Sequence, residues 1–312
     1  MVKKGDKIAT RDAYGEFLQT FGLGNNDVVV LDADLSGSTK TKKFCDVCEE
    51  RFFNMGIAEQ NLMGAAAGLA ASGKTVFAST FAMFATGRAY EIIRNSIAHT
   101  GLNVKICATH SGITVGEDGA THQTFEDISL MRGLPDMTVV VPADGNSATK
   151  ILNLAAEKEG PFYVRLGRSA IPVIYDEDET IEIGKANTLR DGNKATIIAC
   201  GIMVNEAIIA AEALEKEGID VRVLDMHTIK PLDTDSIDMA VKETGVLVTA
   251  EEHSVIGGLG SAVSEYVSQN CPTKMAFVGQ QDTFGESGKP AELQKKYKMT
   301  SEDIIEAVKS VM

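Results

Sequence analysis

Short runs of β-branched and aliphatic residues return along the chain with longer amphipathic or small-residue segments between them. This alternation constrains the fold more than any other feature. Residues 28–31, 76–78, 104–108 and 139–141 read as buried strands, and residues 12–21, 57–72, 81–98 and 146–158 as helices, the last stopped by Gly160-Pro161. Strand and helix in strict turn imply a parallel sheet covered on both faces. Past Pro172 the pattern lapses into Tyr175-Asp-Glu-Asp-Glu-Thr180, an acidic stretch expected to be a linker or an exposed edge. It then resumes with strands at 196–200, 221–224, 246–249 and 275–278 and helices at 204–217, 236–241 and 259–269. The expectation is an α/β protein of two open domains, residues 1–175 and a smaller 183–312. A chain of 312 residues, 44% of them apolar, can bury both cores.

The net charge of −14 repels a phosphate backbone, so nucleic acid is not an expected partner. The longest apolar stretch is broken by Gly64, Gly68 and Gly73, so no membrane span is expected. Five scattered cysteines and the lack of a signal-like segment before Gly5 point to a soluble protein of the reducing cytoplasm. Cys45 and Cys48 lack the second pair that a zinc site needs and are read as ordinary thiols.

Three segments carry candidate chemistry. In Gly56 to Ser72, Glu59 is the only charged residue, held in the first turn of a helix expected to be buried on most sides. Such a carboxyl either complements the helix dipole or, when buried, keeps a proton to donate. Phe81 and Phe84 lie one helical turn apart after a strand's carboxyl end, where open α/β sheets bind ligands. The loop from Ala108 to His122 packs two histidines and two acids among glycines. His110, Asp118 and His122 match no zinc spacing, so no metal is expected of this chain, and acid-base work or hydroxyl recognition suits them better. Arg11 and Arg168 are candidate phosphate ligands, whereas Arg165 is expected at the solvated surface. Gly257-Gly-Leu-Gly260, which follows Glu251-Glu-His253, reads as a tight turn, and no catalytic part is expected for it.

Six stretches taken in order, Ala9-Thr10-Arg11, Ala33-Asp34-Leu35, Gly56-Ile-Ala-Glu-Gln-Asn61, Ser79-Thr80-Phe81, Gly116-Glu-Asp-Gly-Ala-Thr-His122 and Pro142-Ala-Asp-Gly145, resemble the transketolase family. The resemblance implies a pyrimidine-binding thiamine-diphosphate fold followed by a transketolase C-terminal domain. It makes Glu59 the carboxyl at the cofactor's pyrimidine nitrogen, where it favours the tautomer that activates the thiazolium carbon. It makes Phe81 and Phe84 the pyrimidine pocket and brings Asp34 near the cofactor. His110 and His122 are then catalytic groups that also contact donor oxygens, Asp118 reads a sugar hydroxyl, and Arg11, Ser38, His110 and Arg168 grip the substrate phosphate. Gly87 stands where some members carry a further aromatic, and Arg88 receives no role.

The diphosphate-binding domain of a full-length transketolase, with its Gly-Asp-Gly magnesium motif, has no counterpart here. A partner N-terminal subunit is expected to supply it and the magnesium, in a heterotetramer with two copies of each chain. The implied reaction moves a two-carbon ketol unit from a ketose phosphate such as xylulose 5-phosphate to ribose 5-phosphate or erythrose 4-phosphate, the chemistry of pentose-phosphate interconversion. A beta subunit of a 2-oxoacid dehydrogenase decarboxylase component, or an enzyme like 1-deoxyxylulose 5-phosphate synthase, are the alternatives, and a non-catalytic scaffold is disfavoured by the joint presence of Glu59, His110, Asp118 and His122.

Overall fold

A computed structural model describes residues 2–312, so residue 1 of the expected first domain lies outside the described residues. The first half runs β1 (Lys7–Ile8), α1 (Thr10–Gly24), β2 (Val28–Asp32), β3 (Phe52–Asn54), α2 (Glu59–Ala71), β4 (Thr75–Ser79), β5 (Val104–Ala108), α3 (Asp127–Arg132), β6 (Thr138–Val140), α4 (Gly145–Glu157), β7 (Phe162–Arg165) and β8 (Ile171–Pro172). The second half runs β9 (Asn187–Arg190), β10 (Ala195–Ala199), α5 (Met203–Lys216), β11 (Val221–Asp225), β12 (Thr228–Lys230), α6 (Thr234–Thr244), β13 (Val246–Ser254), α7 (Leu259–Asn270), β14 (Lys274–Gln280), α8 (Pro290–Lys296) and α9 (Ser301–Val311). Helical segments of six residues or fewer other than α3 are named below by range.

The protein is α/β. The largest sheet has the order β12-β6-β7-β5-β4-β2-β3 and the next β14-β13-β10-β11-β9, with neighbours parallel except β12 with β6 and β9 with β11, while β1 and β8 form a separate antiparallel pair. Central strands such as Val28-Val-Val-Leu-Asp32 are buried at every position, as a sheet covered on both faces requires. The sheets do not divide the chain cleanly, because β12 leaves the second half to become an edge strand of the first sheet.

The token Pro142-Ala-Asp-Gly145 has a structural reason. Asp144 caps α4, its Oδ1 accepting the Ser147 N–H at 2.7 Å while Ser147 Oγ accepts the Asp144 N–H at 2.9 Å. Its other oxygen accepts the N–H groups of Ile174 and Tyr175 at 2.7 and 2.8 Å. That anchorage corrects the reading of residue 175 as exposed linker: Tyr175 is fully buried and its hydroxyl donates to Asp225 Oδ2 at 2.7 Å.

Three further expectations are corrected. Arg165 is buried, not solvated. Its Nε and Nη2 donate to Asp127 at 2.7 and 3.2 Å, and Tyr163 donates to the same carboxylate at 2.7 Å. Burial works to raise Asp127, but the Arg165 and His253 charges and the hydrogen bonds from Arg165 and Tyr163 outweigh it and hold the carboxyl below its ordinary value. Helix α2 is buried on one side only, for Gln60, Asn61, Gly64, Gly68 and Ala71 face outward. A Cβ at Gly64 or Gly68 would meet nothing, so no neighbour within the chain demands glycine there. The segment expected as one helix over 81–98 starts from a bridge between Phe81 and Thr109 and contains two wide i→i+5 stretches, Phe84–Arg88 and Ile93–Ala98. Among the described residues no helix is long and apolar enough to cross a membrane.

Candidate active site

Strands β7, β5, β4, β2 and β3 are consecutive neighbours in the first sheet, and each delivers a singled-out residue just past its carboxyl end. Arg168 follows β7, His110 follows β5, Phe81 and Phe84 follow β4, Asp34 and Ser38 follow β2, and Glu59 opens the helix after β3. Residues distant in sequence are thereby lined along one edge, the ligand-binding edge of open α/β sheets.

At one end of this row Glu59 is 2% exposed. Its Oε2 accepts from Arg88 Nη1 at 3.0 Å, and Arg88, with a side chain 53% exposed, also lies over the Phe84 ring at 5.4 Å. Arg88 received no role from sequence because its partner stands 29 positions away. The one usable signal was that Arg88 is four residues past Phe84, one turn along the same segment.

The rings of Phe84 and Phe81 stack at 5.8 Å with 16° between planes, and His122 stands edge-on to both, at 5.4 and 6.3 Å. His110 stacks on Phe81 as well, at 3.8 Å. The result is an aromatic wall with the Glu59 carboxylate at one end and imidazoles at the other.

His110 is held in an unusual state. Its backbone is left-handed, φ +58°, which turns the side chain into the site. Arg11 Nη1 donates to Nε2 at 3.0 Å, so Nδ1 carries the proton and donates to Thr109 Oγ1 at 2.9 Å. Burial first, then the charges of Arg11 and Arg168, push its pKa down to about 3. His110 is therefore a neutral hydrogen-bonding group near neutral pH. Arg11 also donates to the Ser38 carbonyl at 3.0 Å, and its Nε is buried without a partner. Ser38 thus meets Arg11 through its backbone.

The other candidates are more open. Asp34, left-handed at φ +63°, exchanges hydrogen bonds with Asn54, accepting from Nδ2 at 2.9 Å and donating its N–H to Oδ1 at 3.1 Å. Asn54 Oδ1 also accepts the Gly56 N–H at 3.0 Å, so Asp34 steadies the approach to Glu59 rather than touching the aromatic wall. Asp118 is exposed at the end of the tight turn Ile113–Asp118. Arg168 donates to Glu117 at 2.9 Å and to the Val115 carbonyl. Thr121 and His122 Nδ1 are hydrogen-bonded at 2.9 Å.

The triplet Glu251-Glu252-His253 in β13, named in the sequence but given no role there, is buried. Glu251 accepts the N–H groups of Leu259 and Gly260 at 2.7 and 2.8 Å, so the glycine-rich turn before α7 is already occupied by the protein's own carboxyl, which burial raises to about 7. His253 Nδ1 donates to the Ser254 carbonyl at 2.7 Å and Nε2 accepts the Ser129 N–H at 3.4 Å, joining β13 to α3. Among the described residues no group of three or more His, Cys, Asp or Glu side chains is placed to hold a metal ion.

The chain is similar to known proteins along nearly its whole length. Residues 6–173 match the family model of the transketolase pyrimidine-binding domain, and residues 184–304 that of the transketolase C-terminal domain. The chain is 50% identical over 305 residues to a protein of Methanocaldococcus jannaschii provisionally named a transketolase C-terminal section, covering 97% of this chain and 96% of that one. It is 41% identical to a 6-deoxy-6-sulfo-D-fructose transketolase subunit of Clostridium sp., covering 96% and 94% of the two chains. It is 38% identical to Homo sapiens transketolase, covering 99% of this chain and 50% of that protein. Among solved structures it resembles a split gene transketolase described as an inactive beta4 tetramer, with TM-score 0.90, 52% identity and 98% of each chain covered.

Proposed function

The chain belongs to the transketolase family, whose members depend on thiamine diphosphate, and from that premise we propose that it is the pyrimidine-holding subunit of a two-chain transketolase. The observation that carries the reading is the Glu59 carboxylate, buried at the first turn of α2 and joined through Arg88 to the stacked Phe81 and Phe84 rings. An aminopyrimidine needs such a flat apolar wall and a carboxyl at its ring nitrogen, and these residues fit that end of the cofactor. They do not fit its magnesium, for which no acidic or histidine cluster is gathered among the described residues.

When bound, thiamine diphosphate supplies the carbon nucleophile and electron sink for breaking and making the ketose carbon–carbon bond. Glu59 would exchange Arg88 for the ring nitrogen and hold a proton there, while Phe81 and Phe84 keep water from the ring. His110, kept neutral with Nε2 as acceptor, orients a donor hydroxyl in place of shuttling protons. That leaves His122, at the open end of the wall, as the acid-base group. Asp118 would accept from a sugar hydroxyl, Asp34 supports the cofactor side, and Arg11, Arg168 and the Ser38 segment take the anionic end of the sugar. The Clostridium relative, named for a sulfonated sugar, argues that this end is read as a tetrahedral anion, of which the phosphate of xylulose 5-phosphate is the first to assay.

A partner N-terminal subunit would bring the diphosphate and magnesium site. Two features support it: the chain spans half of Homo sapiens transketolase, and Glu59 sits beside an outward-facing strip of α2 with Ile57 78% exposed. Two copies of each chain would then enclose two composite sites.

The test is to mix this chain with a subunit bearing the diphosphate domain, thiamine diphosphate and magnesium, and to follow ketol transfer from xylulose 5-phosphate to ribose 5-phosphate. Transfer without carbon dioxide release, lost by roughly a hundredfold or more in Glu59→Gln, supports the reading, since proton transfer by one positioned group contributes about 10²–10⁴-fold. Release of carbon dioxide from a 2-oxoacid donor instead would move the chain to the decarboxylase branch.

A further inference from the structure

The loop that carries His110, Asp118 and His122 does not stand on its own domain alone. Glu252, buried near the end of β13 in the second half, points its carboxylate into the loop, and Oε1 accepts the Thr114 N–H at 2.7 Å. The loop backbone lies directly against this carboxylate. Gly112 is left-handed at φ +72°, and a Cβ there would overlap the Glu252 side chain. Glu252 is itself clamped from behind, because Arg165 Nη2 donates to its carbonyl at 2.9 Å and Arg165 Nη1 lies 3.9 Å from Oε2. Thr114 is equidistant in sequence from His110 and Asp118, so the bond pins the middle of the substrate loop.

The other side of the same turn is held by the second half as well. Gln123 Nε2 donates to the Ile113 carbonyl at 3.3 Å and to the Glu286 carbonyl at 2.9 Å, tying the turn to the segment before α8. Gly116 abuts Pro290, the first residue of α8. The turn Ile113–Asp118 is thus bracketed by two parts of the second half, and only one of them, Glu252, offers a side-chain carboxyl acceptor that a bound loop conformation can gain or lose as a unit.

We propose that Glu252 is a positioning residue for the donor sugar, setting the conformation of the loop that presents His110, Asp118 and His122, so that the C-terminal half takes part in substrate recognition without touching the cofactor. This rests on the ketol-transfer reading above for its kinetic consequence, but the loop contact can be read independently. Removing the carboxyl acceptor of a buried N–H costs enough to weaken a dependent equilibrium by roughly tenfold.

The experiment uses the complex reconstituted with the partner subunit and compares wild type, Glu252→Ala, Glu252→Gln and Gly112→Ala. Amide deuterium uptake over residues 110–122 is measured beside donor KM, kcat and thiamine diphosphate Kd. In Glu252→Ala, Thr114 should exchange about tenfold faster and the donor KM should rise about tenfold, while the cofactor Kd holds within about twofold. Gly112→Ala, which crowds the same carboxylate from the loop side, should repeat that pattern, and Glu252→Gln, which keeps an acceptor oxygen, should recover most of both effects. Unchanged exchange in Glu252→Ala overturns the proposal, as does a parallel loss of donor and cofactor affinity with falling thermal stability. Faster loop exchange in a complex that transfers no ketol unit with any donor would sustain the positioning contact and refute the function instead.

Discussion

Replacing Arg88 by methionine should make the reconstituted enzyme bind thiamine diphosphate more tightly. In the free chain the Glu59 carboxylate is committed to Arg88 at 3.0 Å, and a ring nitrogen seeking the same carboxyl must first displace that guanidinium. The magnitude follows from the asymmetry of the pair. Glu59 is 2% exposed, which favours a strong interaction, but the Arg88 side chain is 53% exposed and its charge is screened by water. A wholly exposed pair is worth about 0.2–1 kcal/mol and loss of a partner by a buried charge about 3–5 kcal/mol, so after discounting for the half-solvated end this pair is worth about 1–2 kcal/mol. Wild type gives up that energy on binding and the Arg88→Met variant does not, so Kd should fall by about five- to thirtyfold. Methionine keeps the length that covers the Phe84 ring, so packing is changed little. Titration calorimetry of the cofactor onto the complex measures the effect, with Glu59→Gln as a second background in which Arg88→Met should do nothing. Weaker binding in Arg88→Met would refute the reasoning and make the arginine part of the cofactor's cradle.

Two buried groups should give stability opposite slopes against pH. Burial lowers His253 from 6.5 to about 4, so the unfolded chain takes up a proton that the folded chain refuses, and the stability tied to this residue is present above about pH 6.5 and lost as pH falls to 4. Relative to wild type, His253→Gln should therefore gain stability on acidification through that window, measured by denaturant titration at each pH. Burial raises Asp225 from 3.8 to about 8, so here the folded chain holds the proton and stability is lost as pH rises through that range. Asp225→Asn, still able to accept from Tyr175, should gain on wild type as pH climbs from about 4 to about 8, and a pH-independent difference for either variant would contradict the assigned burial cost. Gly64→Ala with Gly68→Ala should stabilise the isolated chain by about 0.5–1 kcal/mol per site, since α2 leaves open space there. The same pair should weaken reconstitution with the partner, and unimpaired assembly would remove that strip of α2 from the interface.

The parts of the fold legible in the sequence are those set by local pattern. Val28-Val-Val-Leu reads as a buried strand and forms one, and the helix expected over 146–158 forms as α4, with the Asp144 cap that starts it visible only in its hydrogen bonds. What the pattern hid was decided by partners far along the chain. Arg165 looks like any polar residue at a strand end, and only Asp127, brought up on α3, makes its burial tolerable. Tyr175 sits in an acidic stretch that reads as solvent-facing, yet Asp225, fifty residues later, gives its hydroxyl an acceptor. The edge strand β12 is three residues long, too short to carry a period, and joins a sheet whose other members all precede it.

The candidate site divides along the same line. Glu59, Phe81, Phe84 and the two histidines stood out because unusual residue types occur at strand ends, where a parallel sheet gathers them whatever else the chain does. Of their present partners only Arg11, on His110, stood out as well; Arg88 on Glu59 and Glu117 on Arg168 are ordinary residues made special by three-dimensional contact. These contacts share a logic. At Glu59, His110 and Arg168 the group expected to hold a ligand is already engaged by another group of the chain, so these positions are electrostatically satisfied before anything binds. Binding must then be an exchange of partners. An exchange costs less than ordering a bare charged cleft would, but it proceeds only when the incoming group matches the departing one, a ring nitrogen for the guanidinium at Glu59 and a tetrahedral anion for the carboxylate at Arg168. Selectivity would thus reside as much in what the resting chain offers itself as in the contacts made afterwards.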